Sequence, residues 1–208
     1  MSRKTKVKKG IAAGLIFVGI AVCAVPFWLG KQDKDRADNY IREFEEDEHE
    51  ETETDKKKNT KTEKEGVIGI VEIPGLNIRY PIFEGATSVE LAKGIGHLPE
   101  TAGLCEKGNC VLAGHNGSSR GTYFTYLSNI QKGDQVLVTN KEKETHEYKV
   151  KETKVVTPYD IWVTEYSEKE VLTLFTCCEH GTKRFVVKCE PVKAYFEGNG
   201  AYGEDETQ

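Results

Sequence analysis

The sequence predicts an all-β domain, closed into a barrel, behind one N-terminal transmembrane helix. Residues 11–29 carry no charged side chain, and an apolar run of that length can cross a bilayer as a helix. Residues 31–65 are dominated by Glu, Asp, Lys and Thr. From Gly66 onward, short strand-like runs alternate with turn residues, which is typical of an all-β domain and favours a closed barrel.

The N-terminal segment divides into a basic tail, residues 1–10, and the apolar run, residues 11–29. The tail carries five Lys or Arg residues and no acidic residue, a pattern that keeps an N-terminus in the cytoplasm. The rest of the chain is then expected outside a bacterial cell. A cleaved signal peptide is the alternative, because Val22 and Ala24 have the spacing that a signal peptidase accepts. We favour the uncleaved anchor, since the apolar run continues beyond Ala24.

The charged segment, residues 30–65, is predicted to be a flexible stalk. It has too few apolar side chains to offset the entropy lost on folding, so we expect a solvated spacer that lifts the domain off the membrane. Alternatively, Tyr40, Ile41 and Phe44 would line one side of a short helix near its start. Residues 194–208 are expected to be a disordered tail.

The predicted domain occupies residues 66–193. Its strands are the apolar runs between turn residues, namely 67–73, 78–83, 110–115, 135–138, 147–156, 171–177 and 184–189. Short helical insertions are expected at 88–94 and 122–127. Pro81 falls inside the second strand, and since proline has no N–H to donate to a ladder, we expect an edge or a bulge there.

The charge distribution excludes one class of function. The net charge is −5, with +5 from the tail, −5 from residues 31–65 and −5 from the remainder. Because no segment outside the membrane is basic enough to attract a phosphate backbone, we expect no nucleic-acid partner. The glycines also lack the strand and helix context of a phosphate-binding loop.

Cysteine usage points to a free thiol. Five cysteines follow the apolar run, namely Cys105, Cys110, Cys177, Cys178 and Cys189. Five thiols cannot all pair within one chain, and an unpaired thiol in a secreted domain is a candidate nucleophile. Cys105 and Cys110 bracket a short turn that fits a disulfide, two reduced thiols or part of a metal site. A zinc site completed by His97 or His115 lacks the usual paired ligand spacing, and His97 is expected to be structural.

Cys177 and Arg184 flank a six-residue connection between two predicted strands. If they pair, their side chains can meet, because opposed residues have Cβ atoms ~5 Å apart. A guanidinium there favours the thiolate and can hydrogen-bond the oxyanion formed when the thiolate attacks a carbonyl. His115 ends another strand at a Gly-His-Asn-Gly turn, where an imidazole can donate a proton to a leaving amine. Cys178 alternates to the opposite face of its strand, so we expect it to be buried or a spectator.

These motifs resemble the sortase family. The run TLFTC, ending at Cys177, is similar to the family signature T-L-x-T-C. The run RFVV, opening at Arg184, and the run LAGH, ending at His115, resemble the segments that carry the family arginine and histidine. The separations of 62 positions from His115 to Cys177 and seven from Cys177 to Arg184 also fit. The resemblance covers about residues 66–193 and includes GVIGIVEIPGLNIRYPIFEG and GIGHLPET.

The resemblance implies a closed sortase-like barrel and a cysteine transpeptidase. Such an enzyme cleaves an LPxTG-like sorting signal between Thr and Gly and passes the acyl group to an amine on peptidoglycan or a pilin. Cys177 would be the nucleophile, His115 the acid and base, and Arg184 the oxyanion or substrate clamp. Thr176 is predicted to belong to the substrate-binding surface.

No metal or other cofactor is required by that chemistry. Calcium activates some relatives, but no dense carboxylate cluster near the motifs predicts it here. Pilin-polymerising relatives often carry an Asp-Pro-aromatic lid motif and a second, C-terminal apolar segment. The sequence shows neither, so we favour an anchoring type.

Two other functions stay open at this point. A cysteine peptidase that only hydrolyses would share the nucleophile and the histidine, and it would form no product with an added amine. A non-enzymatic, disulfide-stapled domain that binds a surface ligand predicts that all accessible thiols except one are oxidised and that Cys177 has ordinary reactivity.

Overall fold

A computed structural model of the chain describes residues 3–46, 66–116 and 122–192, apart from the side chains of residues 3–17, 21, 23, 26 and 27. The strands are β1 Val67–Ile73, β2 Ile78–Glu84, β3 Ile95–His97, β4 Gly108–Gly114, β5 Gln135–Thr139, β6 Thr145–Val156, β7 Glu170–Cys178 and β8 Lys183–Pro191. The helices are α1 Arg3–Glu46 and α2 Ser88–Leu91, with 3-10 turns at Pro74–Leu76, Leu127–Asn129 and Glu179–Gly181.

The eight strands close into a barrel in the order β1-β2-β3-β4-β7-β8-β6-β5, and β5 pairs back with β1. This confirms the predicted all-β barrel. Two neighbouring pairs, β2 with β3 and β4 with β7, are parallel. The parallel pairing of β4 with β7 matters for the site, because it brings the carboxyl ends of these two strands to the same end of the barrel.

Side-chain alternation divides the strands into an inner and an outer face. Leu112, Leu172, Leu174 and Val187 belong to the main core inside the barrel. Their neighbours in sequence point the other way and build a second, smaller apolar cluster on the outside. That outer cluster consists of Val111, Val156, Val163 and Val186, with Leu98, Trp162 and Phe175 packed against it.

Two of the predicted elements differ in detail. The helix expected at 88–94 is present only as α2, which opens on a capping box between Thr87 and Glu90. The stretch 122–127 is a series of turns before the 3-10 turn. Tyr123 has a left-handed φ of 55°, which an α-helix does not accommodate.

Pro81 lies opposite Ile70 within a closed barrel, so the predicted edge position is wrong. The predicted irregularity is nearby but on the other strand, where the β1 register shifts between Val67 and Gly69. A proline fits because β3 pairs with β2 only from Ile82 onward, so the ladder on that side begins after Pro81.

The first part of the predicted stalk is helical and packed. Helix α1 continues to Glu46, and Ala37, Ile41 and Phe44 are buried. Their spacing places them on one helical face, and Ile41 and Phe44 pack on Ile70 of β1. Over 30–46 the flexible stalk is therefore wrong and the helical alternative is right, while residues 47–65 lie outside the described residues.

Within the part of the chain that the structure describes, no helix is both long and apolar enough to cross a membrane. Most side chains of the predicted span, residues 11–29, lie outside that description. The anchor therefore stays a prediction. The predicted tail, 194–208, also lies outside the described residues.

Candidate active site

The parallel pairing of β4 with β7 brings His115 and Cys177 together. The last paired residues of the two strands are Gly114 and Thr176, and the next residue on each strand is His115 and Cys177. Residues at the same level of neighbouring strands share a face, and neighbouring strands lie about 4.8 Å apart. His115 is exposed and Cys177 is half-buried, so a ligand can reach both.

Arg184 flanks Cys177 on the other side. The two residues are direct partners in the antiparallel pairing of β7 with β8, which confirms the predicted register. One guanidinium nitrogen, Nη1, donates to the carbonyl oxygens of Gly181 at 2.9 Å and Lys183 at 3.0 Å. These bonds hold Arg184 at the turn between the strands, and the N–H groups of Nη2 and Nε make no hydrogen bond within the described residues.

Two side-chain hydrogen bonds extend the ladder beyond its last backbone pair. The Thr176 hydroxyl donates to the Gly114 carbonyl at 2.7 Å, and the Asn116 amide donates to the Cys177 carbonyl at 2.6 Å. The backbone N–H of Phe124 also donates to the His115 carbonyl, at 3.1 Å. The backbone is thus fixed on both sides of the histidine.

Thr176 differs from its predicted place on a substrate-binding surface. Its side chain is 1% exposed, because alternation points it into the barrel and Cys177 outward. Asn116, in contrast, is a positioning residue that the sequence analysis missed. The Gly-His-Asn-Gly turn contains it, but the partner of its amide lies 61 positions away in sequence.

The Tyr123 ring lies beside His115, and the sequence did not single this residue out. Its ring centroid lies 6.4 Å from that of His115 and 5.1 Å from that of Tyr80. Its hydroxyl donates to the carbonyl of Ala92, just after α2, at 2.6 Å. Tyr123 therefore connects the histidine to β2 and to α2.

The outer apolar cluster lies on the same face as the three candidate residues. Phe175 precedes Cys177 by two positions on β7 and packs on this cluster. The β6–β7 connection adds exposed apolar side chains at Tyr159, Ile161 and Tyr166. A cavity of about 900 Å³ lies at the start of β7, away from Cys177, and most of its lining side chains are Lys or Glu. The apolar surface next to Cys177 is therefore the outer cluster, on which a partly apolar peptide can lie.

The other described cysteines are less suited to nucleophilic attack. Burial raises the pKa of Cys189 to about 12 and that of Cys105 to about 11. Burial also raises the pKa of Cys110. Partial burial, and then the Glu179 carboxylate, raise the pKa of Cys178, which faces away from Cys177. All five described cysteines are free thiols, so of the alternatives left open for Cys105 and Cys110 the structure has two reduced thiols.

His97 has a structural environment, as expected. Its Nδ1 lies 3.1 Å from the Glu84 carboxylate and its Nε2 lies 2.8 Å from the Ala102 carbonyl oxygen. Among the described residues, no cluster of three or more His, Cys, Asp or Glu side chains is placed to hold a metal ion.

The comparison with known families decides the affiliation. The family model of the sortase domain matches residues 71–192, which include all three candidate residues. The chain belongs to the sortase family. Sortases are cysteine transpeptidases, and the chain is an enzyme of that class.

Individual sortases are similar over much of their length. Sortase A of Bacillus anthracis is 31% identical over 200 residues, which cover 88% of this chain and 94% of that protein. Sortase A of Staphylococcus aureus is 32% identical over 81% of this chain and 85% of that protein. Sortase D of Bacillus subtilis is 38% identical, but the match covers only 52% of this chain and 53% of that protein.

Solved structures confirm the sortase fold. Sortase A from Corynebacterium diphtheriae superposes with a TM-score of 0.57 at 28% identity, covering 64% of each chain. Sortase C-1 from Actinomyces oris gives 0.57 at 30% identity, covering 62% of this chain and 75% of that one. Since the relatives carry class A, C and D names, the predicted anchoring type stays a prediction.

Proposed function

We propose that this sortase cleaves an LPxTG-like sorting signal and transfers the acyl group to an amine on peptidoglycan or a pilin. Cys177 is the nucleophile, His115 the acid and base, and Arg184 the oxyanion or substrate clamp. One observation carries these roles: Cys177 is flanked by His115 on the β4 side and by Arg184 on the β8 side. Thr176 supports the ladder instead of binding substrate, since its hydroxyl is engaged by Gly114.

The reaction proceeds in two steps. The Cys177 thiolate attacks the carbonyl carbon of the signal threonine, and the C–N bond to glycine breaks as His115 donates a proton to the leaving amine. The acceptor amine then attacks the thioester, its proton passes to His115, and the C–S bond breaks. Arg184 donates hydrogen bonds to the oxyanion that forms in each step.

The outer apolar face favours this class of substrate. The leucine and proline of an LPxTG-like signal are apolar, and proline disfavours helix, so the signal is extended. The cluster around Phe175 and Val186, with Trp162 beside it, offers apolar surface along β7. Burial of apolar area there would hold the signal with its threonine near Cys177.

The membrane anchor is part of the proposal. It rests on the charge-free run 11–29 and the basic tail before it, a pattern that favours a cytoplasmic tail and a barrel outside a bacterial cell. The anchor would keep the enzyme where secreted sorting-signal proteins and wall precursors emerge.

The test is product analysis with the full chain in detergent or lipid vesicles. Peptides with LPxTG-like signals are incubated with and without triglycine or a lysine-containing peptide, and the products are identified by mass. A new amide with the added amine is expected. Hydrolysis without any amine product would support a peptidase instead, and absence of cleavage with ordinary alkylation of Cys177 would support a binding domain.

A further inference from the structure

Packing, and not hydrogen bonding, fixes the direction of the His115 imidazole. The residue is exposed, and its backbone carbonyl accepts a hydrogen bond from the Phe124 N–H, which leaves both side-chain torsions free to change rotamer. Within the residues that the structure describes, no group forms a hydrogen bond with the imidazole nitrogens. The aromatic ring beside the imidazole is that of Tyr123, with centroids 6.4 Å apart and planes inclined by 58°.

Tyr123 is itself held by its hydroxyl, its ring and its backbone. The residue is 8% exposed, and its hydroxyl donates to the Ala92 carbonyl at 2.6 Å. Its ring centroid lies 5.1 Å from that of Tyr80, and its backbone N–H donates to the Tyr80 hydroxyl. The Tyr123 ring therefore has a fixed position, from which it restricts the rotation of the imidazole.

The backbone of Tyr123 adopts an unfavourable conformation that its surroundings maintain. Its φ of 55° lies in the left-handed region, which a residue with a Cβ adopts only at a cost in free energy. Such a conformation persists where the surrounding contacts hold it, and residues of this kind cluster at functional sites. Here the Tyr123 ring contacts both His115 and Tyr80, while the next side chain, Phe124, is fully buried in the core.

We propose that Tyr123 is a positioning residue, which holds the His115 imidazole in the direction that serves Cys177 and the leaving amine. The proposal deepens the proposed function and rests on it, since it takes His115 as the residue that transfers the proton. A proton donor acts only within hydrogen-bond reach of the atom that it protonates, and an exposed imidazole that rotates freely spends part of its time out of reach. The Tyr123 ring excludes some of these rotamers, so less entropy is lost when the imidazole is oriented in the transition state.

These contacts predict an effect on kcat with little effect on KM. Because Tyr123 is buried, it offers little surface to a peptide, so its loss should not weaken ground-state binding. Tyr123→Leu, which removes the ring, should lower kcat by about ten- to a hundredfold. Tyr123→Phe keeps the ring but loses the bond to Ala92, and Tyr80→Phe removes the acceptor of the Tyr123 N–H. Each of these two should lower kcat by about fivefold, the equivalent of one hydrogen bond.

Steady-state kinetics and imidazole NMR of the full chain in detergent test this role together. The chain is made with isotope-labelled histidine, and the His115 ring signals are those missing from His115→Gln. In the native chain and in Tyr123→Phe these signals should carry the ring-current shift of the residue 123 ring. In Tyr123→Leu they should move toward those of free histidine.

Two control variants separate positioning from lost packing. Val150→Ala truncates a side chain of the same core, but Val150 pairs with Cys189, at the level of Leu172 and away from Cys177. Tyr126→Leu changes an exposed tyrosine of the same segment as Tyr123. Neither variant should lower kcat at a temperature where it is folded, and neither should move the His115 signals.

The outcomes distinguish positioning from a general structural role. Native kcat and native His115 signals in Tyr123→Leu would overturn the proposal. A loss of kcat that leaves the His115 signals in place, or that Val150→Ala matches, would overturn it as well. If Tyr123→Leu does not fold, Tyr123→Phe and Tyr80→Phe decide, and native kcat in both would contradict the role. If the native chain transfers no acyl group, the proposed function fails, whereas the His115 signals still report whether Tyr123 holds the ring.

Discussion

At the scale of single residues, the site depends on three strand ends and on the bonds that hold them. Arg184 is tied to the β7–β8 turn through Nη1, which leaves its other nitrogens to meet a developing oxyanion. His115 is held by bonds on both sides, of which the Asn116 amide provides one. Substitutions can therefore separate three contributions: the positive charge of Arg184, the planar geometry of its guanidinium, and the positioning of His115.

Arg184→Lys should lower turnover by about 10²-fold, the typical loss for one oxyanion donor. Lysine keeps the charge but lacks the planar fork. His115→Ala should be more damaging, since the leaving amine then has no proton donor. Kinetics of the purified variants, checked for folding by circular dichroism, measure both effects. Near-native turnover of Arg184→Lys would show that the guanidinium has no special role in the reaction.

Asn116→Ala should lower kcat by about three- to tenfold with little change in KM, because one hydrogen bond of about 1 kcal/mol holds the ladder past Gly114. A misplaced imidazole should also alter the pH profile of kcat. Asn140→Ala is the matched control, since Asn140 bonds Glu144 in the β5–β6 turn, far from Cys177. Equal effects of the two substitutions would indicate general destabilisation instead of positioning.

At the scale of elements, the sequence predicted the strands that have a clear alternation of apolar residues or a family motif. It missed the features that depend on contacts between residues far apart in sequence. The strands β1, β4 and β7 and the register of Cys177 opposite Arg184 followed from alternation and turn residues. Strand β3, only three residues long, is too short to show a period. Tyr123 and Asn116 act through partners far away in sequence, which no local pattern reveals.

Helix α1 shows a different limit of prediction from sequence. Glu, Lys and Arg are good helix formers, so the charged composition of 31–46 was compatible with both a helix and a solvated spacer. Tyr40, Ile41 and Phe44 were the only sequence signal for the helix, and the low apolar content of the segment favoured the spacer. The helix is stabilised by the packing of Ile41 and Phe44 on β1, which no local pattern reveals. The first part of the stalk is therefore a structural element of the catalytic unit.

Ile41→Ala should lower the free energy of unfolding by about 2–5 kcal/mol, the usual cost of truncating a buried isoleucine. The reason is that Ile41 lies between α1 and Ile70 of β1. Arg42→Ala, at the exposed neighbouring position, is the control and should cost little. Urea unfolding of the full chain in detergent compares them, and equal stabilities would show that α1 does not stabilise the barrel.

Because of its buried thiols, the barrel should be less stable to unfolding at alkaline pH. Burial raises the pKa of Cys189 to about 12 from 9.0, so the folded state favours the neutral thiol. The resulting stability is fully present below about pH 9 and is lost as the pH rises toward 12. At pH 10.5 the loss from Cys189 should be about 2 kcal/mol.

Urea unfolding at pH 8 and pH 10.5 measures this loss. Cys189→Ala should be less stable at both pH values because of the cavity, but with a smaller difference between them. An unchanged difference in this variant would assign the alkaline sensitivity to other groups.

At the scale of the whole molecule, the strand order of the barrel brings the proposed catalytic set together. His115 and Cys177 lie 62 positions apart, yet the parallel pairing of β4 with β7 makes them neighbours. The hairpin of β7 and β8 adds Arg184 from the other side. The same end of the barrel lies beside the midpoint of α1, so the fold couples the site to the segment that precedes it.

The central claim is that Cys177, and not its neighbour Cys178, forms the acyl-enzyme. Intact-mass spectrometry of the full chain, quenched in acid during turnover of an LPxTG-like peptide, measures it most directly. The account predicts a thioester adduct of the peptide acyl group on the native chain and on Cys178→Ala, and none on Cys177→Ala. An adduct that persists in Cys177→Ala and disappears in Cys178→Ala would contradict it.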